Sequence, residues 1–365
     1  MRPDAAIRAV TARPFTIPTD APEADGTYAW RETTLVLATI EAGGHTGLGY
    51  TYSSSAVASL VAGPLAAALC GQDAFDVPLC HRLLANQVRN MGRSGLAATA
   101  ISALDAALWD VKAKLMDLPL AALLGRARET VPIYGSGGFT SYGDRELRRQ
   151  LAGWVEREGC RAVKMKIGSH SDDDLRRVGV AKEAIGEASL FVDANGAYSV
   201  KQALRMAEAF AAEAQVAWFE EPVSSDDLDG LAQVRTGAPD CMDIAAGEYS
   251  YNADDVRHML VRRSVDVQQA DASRCLGITG FLQAGALCDA HHIDLSGHCA
   301  PALHVHPACA APRLRHLEWF HDHVRIEHML FEGAPVAKNG AIGPDMSRPG
   351  LGLVFKQRDA ERYAA

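Results

Sequence analysis

Ala162-Val163-Lys164-Met165-Lys166, Leu190-Phe191-Val192-Asp193 and Val216-Ala217-Trp218-Phe219-Glu220 are three short apolar runs, each ending in a charged side chain. The pattern continues through Asp243-Ile244-Ala245-Ala246-Gly247-Glu248, Val265-Asp266-Val267-Gln268-Gln269-Ala270-Asp271 and Ile293-Asp294-Leu295-Ser296-Gly297-His298. The steps between Lys166, Asp193, Glu220, Glu248, Asp271 and His298 are 27, 27, 28, 23 and 27 residues. A strand, a crossover helix and two short loops take about thirty residues, so each step is one βα unit. Six successive strands that each end in a functional side chain describe the C-terminal rim of a (β/α)8-type barrel, where such barrels carry their active sites.

Outward from this run, Val131-Pro132-Ile133-Tyr134 supplies the first barrel strand and His316-Leu317-Glu318-Trp319 the eighth. The spacing predicts helices over 143–158, 172–187, 199–213, 225–236, 252–262, 276–290 and 301–312. Upstream, 7–16 and 33–41 read as strands, and Gly43-Gly44 turns the chain into a third, 47–52. Helical periodicity follows at 56–69 and 94–116. Strands and then helices, without βα alternation, indicate an α+β domain over 1–125. The barrel is assigned to 126–325, and a Gly- and Pro-rich segment, 326–365, is expected to return to the N-terminal domain. Residues 18–30 read as a polar loop with Pro22, Gly26, Tyr28 and Trp30, suited to a lid over a site.

The chain has 365 residues, 48% of them apolar, and a net charge of −9 with no acidic block. Nucleic acid is not an expected partner. An anionic substrate would be repelled at long range, so local cations must hold it. The eight cysteines form no C-x-x-C pair, which predicts free thiols in a reducing cytosol. No signal-peptide pattern and no apolar stretch of ~18 residues is present, so a cytoplasmic protein without a membrane partner is expected.

Asp193, Glu220 and Glu248 end three consecutive strands and should converge. Three unpaired carboxylates that close repel one another, and a divalent cation resolves this; an all-oxygen set suits Mg²⁺. Asn195 could add an oxygen, whereas Glu221 should point away into a structural salt bridge. Lys164 and Lys166 share one strand face beside the metal, where one can bind charge while the other, with a depressed pKa, moves a proton. Asp271 beside His298 would fix the imidazole tautomer and raise its basicity. The other histidines, including His304, His306, His321 and His323, have no comparable setting.

Lys164-x-Lys166, Asp193-x-Asn195, Trp218-Phe219-Glu220-Glu221-Pro222, Gly247-Glu248, Asp271-x-x-Arg274 and Ser296-Gly297-His298, in this order and spacing, resemble the enolase superfamily and, within it, the mandelate racemase subgroup. The resemblance implies a modified (β/α)7β TIM-type barrel, an N-terminal α+β capping domain, one Mg²⁺ per subunit, a small-molecule carboxylate substrate and a homo-oligomer. It implies Glu220 rather than Glu221 as the second metal ligand and Lys166 as the base on one face, with Lys164 beside the substrate carboxylate. Asp271 and His298 would serve the other face, and Glu318 would be a protonated glutamic acid bonded to that carboxylate. Tyr249, after Glu248, departs slightly from the pattern and bears on the pocket. The expected reaction is dehydration of an acid sugar, because the His dyad and a polar rim of Tyr134, Ser136, Asn195 and Arg274 suit a hydroxylated substrate. Racemisation of a 2-hydroxy acid is the alternative. Cycloisomerase and dipeptide-epimerase chemistry fits less well, since those relatives carry a lysine where this chain has Asp271 and His298. Trp30, Tyr50 and Tyr52 would contact substrate if the lid closes.

Overall fold

The computed structural model describes residues 5–365. It begins with an antiparallel sheet of β1 (Ile7–Ala24), β2 (Ala29–Ala42) and β3 (His45–Tyr52), rich in β-branched residues that suit a half-buried pleated surface. The sheet packs on the helix Leu96–Leu115, which is buried along most of its length. A further helix, Val77–Gln87, was not expected; it buries Val77, Cys80 and Leu84 at helical spacing.

The stretch 18–30 is not an open loop. β1 runs on to Ala24 and pairs across a bulge, Glu23 with Trp30 and Ala24 with Ala29. Only the tip turns, and Asp25 Oδ1 holds it by accepting the Thr27 and Tyr28 amides at 2.6 and 2.7 Å. Cross-strand pairing satisfies this backbone whatever the side chains are, so a polar composition concealed a strand.

The barrel consists of β4 (Val131–Gly137), β5 (Ala162–Lys166), β6 (Ser189–Asp193), β7 (Val216–Glu220), β8 (Asp243–Ala246), β9 (Val267–Ala270), β10 (Asp294–Gly297) and β11 (Leu314–Phe320). Neighbours in chain order pair in parallel, and β11 pairs with β4 to close the ring. Seven helices alternate with these strands, from Asp144–Glu156 to Pro301–Ala310. A two-residue strand, Ala341–Ile342, adds antiparallel to β4.

After β11 comes another helix, His321–Leu330, which spans the boundary drawn at 325 and buries Ile326, Glu327 and Leu330. Its four charged or histidine positions in the first turns masked its period. The C-terminal segment lies against the N-terminal sheet and its helix: Phe355 sits 5.2 Å from Phe15 between ring centroids, Arg13 pairs with Glu361, and the Leu351 amide donates to Asp110 on the helix. All eight cysteines are free, six of them buried. Among the described residues, no helix is long and apolar enough to cross a membrane.

Candidate active site

Register brings the charges to one height. Lys166 lies beside Asp193, and Asp193 beside Glu220, across β5, β6 and β7. Alternation puts Lys164 on the same face two residues deeper. Glu248 follows β8, and the chain reaches it through Gly247 at φ 133°. A Cβ on Gly247 would fall 2.2 Å from Gln268 Nε2 and 2.3 Å from the Gln269 carbonyl, so only glycine lets the backbone turn Glu248 inward. Asp193, Glu220 and Glu248 each place an oxygen within 4.8 Å of the others, and all three are buried.

Cations hold these acids together. Lys164 Nζ lies 2.5 Å from Glu220, 2.8 Å from Glu318 and 3.3 Å from Asp193, and Lys166 lies 2.5 Å from Asp193. Arg274 reaches Glu248 at 3.2 Å, and Trp218 Nε1–H donates to Glu220 Oε2 at 3.0 Å. Burial pushes the Glu220 carboxyl up to about 8, with Asp193 adding to the rise. Burial works against charge on Asp193 too, but Lys166 and Lys164 outweigh it and hold the group low. For Lys166 burial opposes the charge and Asp193 outweighs it, raising the pKa instead of depressing it as the sequence suggested. A buried trio of carboxylates with an all-oxygen donor set fits a hard divalent ion such as Mg²⁺. The buried Asn195 Oδ1 and Glu221 Oε1 next to this trio in sequence have no hydrogen-bond partner among the described residues. Glu221 therefore makes no structural salt bridge among the described residues; burial, with Glu248 next, pushes its carboxyl well up.

The other half of the rim is a relay. His298 Nδ1 contacts Asp271 Oδ2 at 2.8 Å, while Asp271 Oδ1 accepts the Ser273 amide at 2.7 Å. His304 steadies the same turn by accepting the Ala272 amide at 2.7 Å. His298 Nε2 faces Glu248 at 3.2 Å, Cys299 Sγ at 3.3 Å and Glu318 at 3.6 Å. Burial disfavours the imidazolium, yet Cys299 and the carboxylates of Glu248, Glu318 and Asp271 hold the His298 pKa well above its usual value. The carboxylates carry this, since burial keeps the Cys299 thiol protonated.

Glu318 accepts hydrogen bonds from Ser136 Oγ at 2.6 Å and from the Cys299 amide at 3.1 Å. Burial favours its neutral form, but Lys164 and His298 hold it well below the usual carboxylate range. The protonated acid implied by the resemblance is thus not the form this geometry favours. Like-charge repulsion from an arriving substrate carboxylate would push it back up.

A cavity of about 320 Å³ opens over these groups, at the small end of the ~300–1,000 Å³ typical of ligand sites. The barrel lines it with Lys166, Asn195, Glu248, Arg274, His298 and Glu318, and the N-terminal sheet with Asp25, Trp30, Glu32, Thr34, Tyr52 and Ser53. Asn195, Arg274, Trp30 and Tyr52 thus reach the cavity as the sequence suggested. Tyr134 does not. It is fully buried one layer below, packed with Phe191 and Trp218, because a strand's period fixes the face of a side chain and not its depth. Ser136 meets Glu318 instead of the cavity, and Tyr50 is buried with its hydroxyl donating to Glu327.

The hairpin tip is seated on the barrel mouth. A Cβ on Gly26 would lie 2.3 Å from the Ala194 carbonyl and 2.6 Å from that of Ile167, just beyond Asp193 and Lys166. Thr140 N–H and Oγ1–H donate to the carbonyls of Ala24 and Asp25, pinning the same tip.

Several wall residues, among them Glu32, Thr33, Cys299 and His323, escaped sequence reasoning. Cys299 enters because the left-handed backbone at Cys299 and Ala300 (φ 52° and 39°) folds the chain back over Glu318. His323 stacks on Tyr52 with ring centroids 3.5 Å apart; burial lowers its pKa to about 3, so it is neutral. A larger cavity of about 540 Å³ lies on the far side of Tyr249 and contains none of the three clustered acids except through the backbone neighbour Gly247.

Comparison with known proteins agrees with this geometry. The chain is 34% identical over 299 residues to an L-talarate/galactarate dehydratase of Salmonella typhimurium, covering 79% of this chain and 74% of that one. It is 32% identical to a 3,6-anhydro-alpha-L-galactonate cycloisomerase of Streptomyces coelicolor, covering 93% and 94%. A mandelate racemase/muconate lactonizing enzyme-like protein from Rubrobacter xylanophilus superposes with a TM-score of 0.96 at 47% identity, over 99% of this chain and 100% of that one. A racemase from Streptomyces coelicolor, crystallised with bound magnesium, superposes with a TM-score of 0.92 at 31% identity, over 98% and 100%. Residues 9–125 match the mandelate racemase/muconate lactonizing enzyme N-terminal domain and 146–360 the enolase C-terminal domain-like family, so the chain belongs to the mandelate racemase branch of the enolase superfamily.

Proposed function

We propose that the protein removes the proton α to the carboxylate of an acid sugar and expels the β-hydroxyl, giving a 2-keto-3-deoxy acid. The observation that carries this reading is the placement of Lys166 and His298 in the wall of one small cavity whose remaining surface is rich in hydroxyls and carboxyls. Dehydratases among the relatives, including one named for L-talarate and galactarate, support it.

Magnesium, when bound by Asp193, Glu220 and Glu248, would supply positive charge to the substrate carboxylate and compete with both lysines for those acids. Lys164 then stands free to donate toward a carboxylate oxygen, and Glu318 lies 2.8 Å behind it to share that role. Lys166, relieved of Asp193, is the base for the α-proton. His298, whose imidazolium form Asp271 and Glu248 favour, is the acid that gives its Nε2 proton to the departing hydroxyl. The balance is simple: the C2–H and C3–O bonds break, water leaves, and the resulting enol becomes the ketone. General acid–base groups of this kind typically supply about 10²–10⁴-fold each. The test is keto-acid formation from a panel of acid sugars with Mg²⁺; a panel without keto product sinks the proposal.

A second reading, racemisation of a 2-hydroxy acid, is favoured by one fact: the same two bases line one cavity and could serve opposite faces. The substrate then needs no β-hydroxyl.

A further inference from the structure

The cavity has two unlike ends. At the barrel end every basic side chain already has an acid. Lys166 is paired with Asp193, Arg274 with Glu248 and, at 3.6 Å, Asp271, and His298 with Asp271. This is the end where a substrate carboxylate is handled. At the hairpin end the wall is made by Asp25, Glu32, Thr33, Thr34, Ser53 and Trp30, and no lysine or arginine among the described residues joins it.

The groups at that end are carboxyls, hydroxyls and an aromatic face. The Thr33 hydroxyl donates to Asp322, so its remaining capacity toward the cavity is as an acceptor. Trp30 spends its N–H on Glu23 at 2.8 Å, which leaves its ring as an apolar plate, with Tyr28 stacked at 6.2 Å. His323, the basic residue on this wall outside the barrel-end pairs, is stacked on Tyr52 and neutral. Carboxyls that accept hydrogen bonds, beside an aromatic ring that covers C–H groups, recognise a neutral polyol. A second carboxylate would meet Asp25 and Glu32 with nothing to neutralise it, and like charges close together repel.

Resting on the dehydration proposed above, we infer that the substrate is a monocarboxylic acid sugar whose distal end is an uncharged hydroxyl chain, an aldonate rather than an aldarate. Glu32 is the residue that rejects the diacid. The cavity of about 320 Å³ further confines the substrate to a single short chain.

The experiment compares kcat/KM for six-carbon aldonates and for aldarates of matched configuration, with Mg²⁺, in the native protein and in Glu32→Arg. The native protein should prefer the aldonate by about tenfold or more, the scale of one unpaired like-charge contact. Glu32→Arg should narrow or reverse that ratio, and Glu32→Gln should lie between. Equal or better turnover of aldarates by the native protein overturns the inference and leaves dehydration standing. A ratio unmoved by Glu32→Arg overturns the role of Glu32. Absence of keto product from both classes removes the dehydratase reading and this inference with it.

Discussion

Two layers of the same barrel, one residue pair apart along the strands, solve burial in opposite ways. At the mouth, Lys164, Lys166, Asp193, Glu220 and Glu318 are all buried and ionisable, held in a web of contacts of 2.5–3.3 Å. Directly beneath, Tyr134, Phe191 and Trp218 form a dry aromatic plug, with Phe191 and Trp218 stacked at 5.2 Å. His316 lies in this plug, and burial drops its pKa to about 3, so it is neutral. The plug excludes water from the floor of the site and so strengthens every electrostatic contact above it. The layers touch through Trp218, whose ring packs below while its N–H supports Glu220 above. Mouth residues should therefore govern rate, and plug residues stability.

The largest expected effect tests the upper layer. Lys166→Ala should lower kcat by about 10³-fold or more while the protein stays folded in Mg²⁺, which would neutralise Asp193 in place of the lysine. A fall in activity matched by loss of the folded state would break the division between layers. In the lower layer, Trp218→Ala should cost about 3–5 kcal/mol in denaturant unfolding. Trp218→Phe should retain most of that packing yet weaken magnesium affinity by about tenfold, since the Glu220 hydrogen bond is lost. That pair of variants separates the two roles of one side chain. Calorimetric titration with Mg²⁺ reads the second.

The hairpin seat gives a smaller effect. Gly26→Ala must displace the tip from the Ala194 and Ile167 carbonyls, and a misplacement near 1 Å can cost about 10²-fold in kcat/KM. Its unfolding free energy should change less than that of Trp218→Ala, because the tip packs on the barrel mouth and not in either layer. The smallest effect lies outside both layers. Burial raises the Glu327 carboxyl to about 8 in the folded protein, against an ordinary value of 4.5, so the unfolded chain releases that proton first. The stability contributed by neutral Glu327 is present below pH 4.5 and is lost as pH rises toward 8. Glu327→Gln should flatten this decline relative to the native protein in urea titrations at several pH values.

The rim was legible in the sequence because each functional side chain ends an apolar run and the runs recur at one βα period. Asp193, Glu220 and Glu248 needed no more than that to be brought together. Depth was not legible: Tyr134 and Ser136 share an inward face with the site but lie below it. The hairpin was concealed by its polar composition, although its backbone pairs like any strand. Cys299 and His323 were unreadable for a different reason. Their places depend on a left-handed turn after β10 and on the unpredicted helix His321–Leu330, and neither leaves an apolar period.

The most direct test of α-proton abstraction followed by loss of the β-hydroxyl is proton NMR in D₂O with the protein, Mg²⁺ and pooled acid sugars and 2-hydroxy acids. New 3-deoxy methylene signals, deuterated at C3, are the predicted result. Exchange of the α-proton without elimination would contradict dehydration and point to racemisation or epimerisation at the same site.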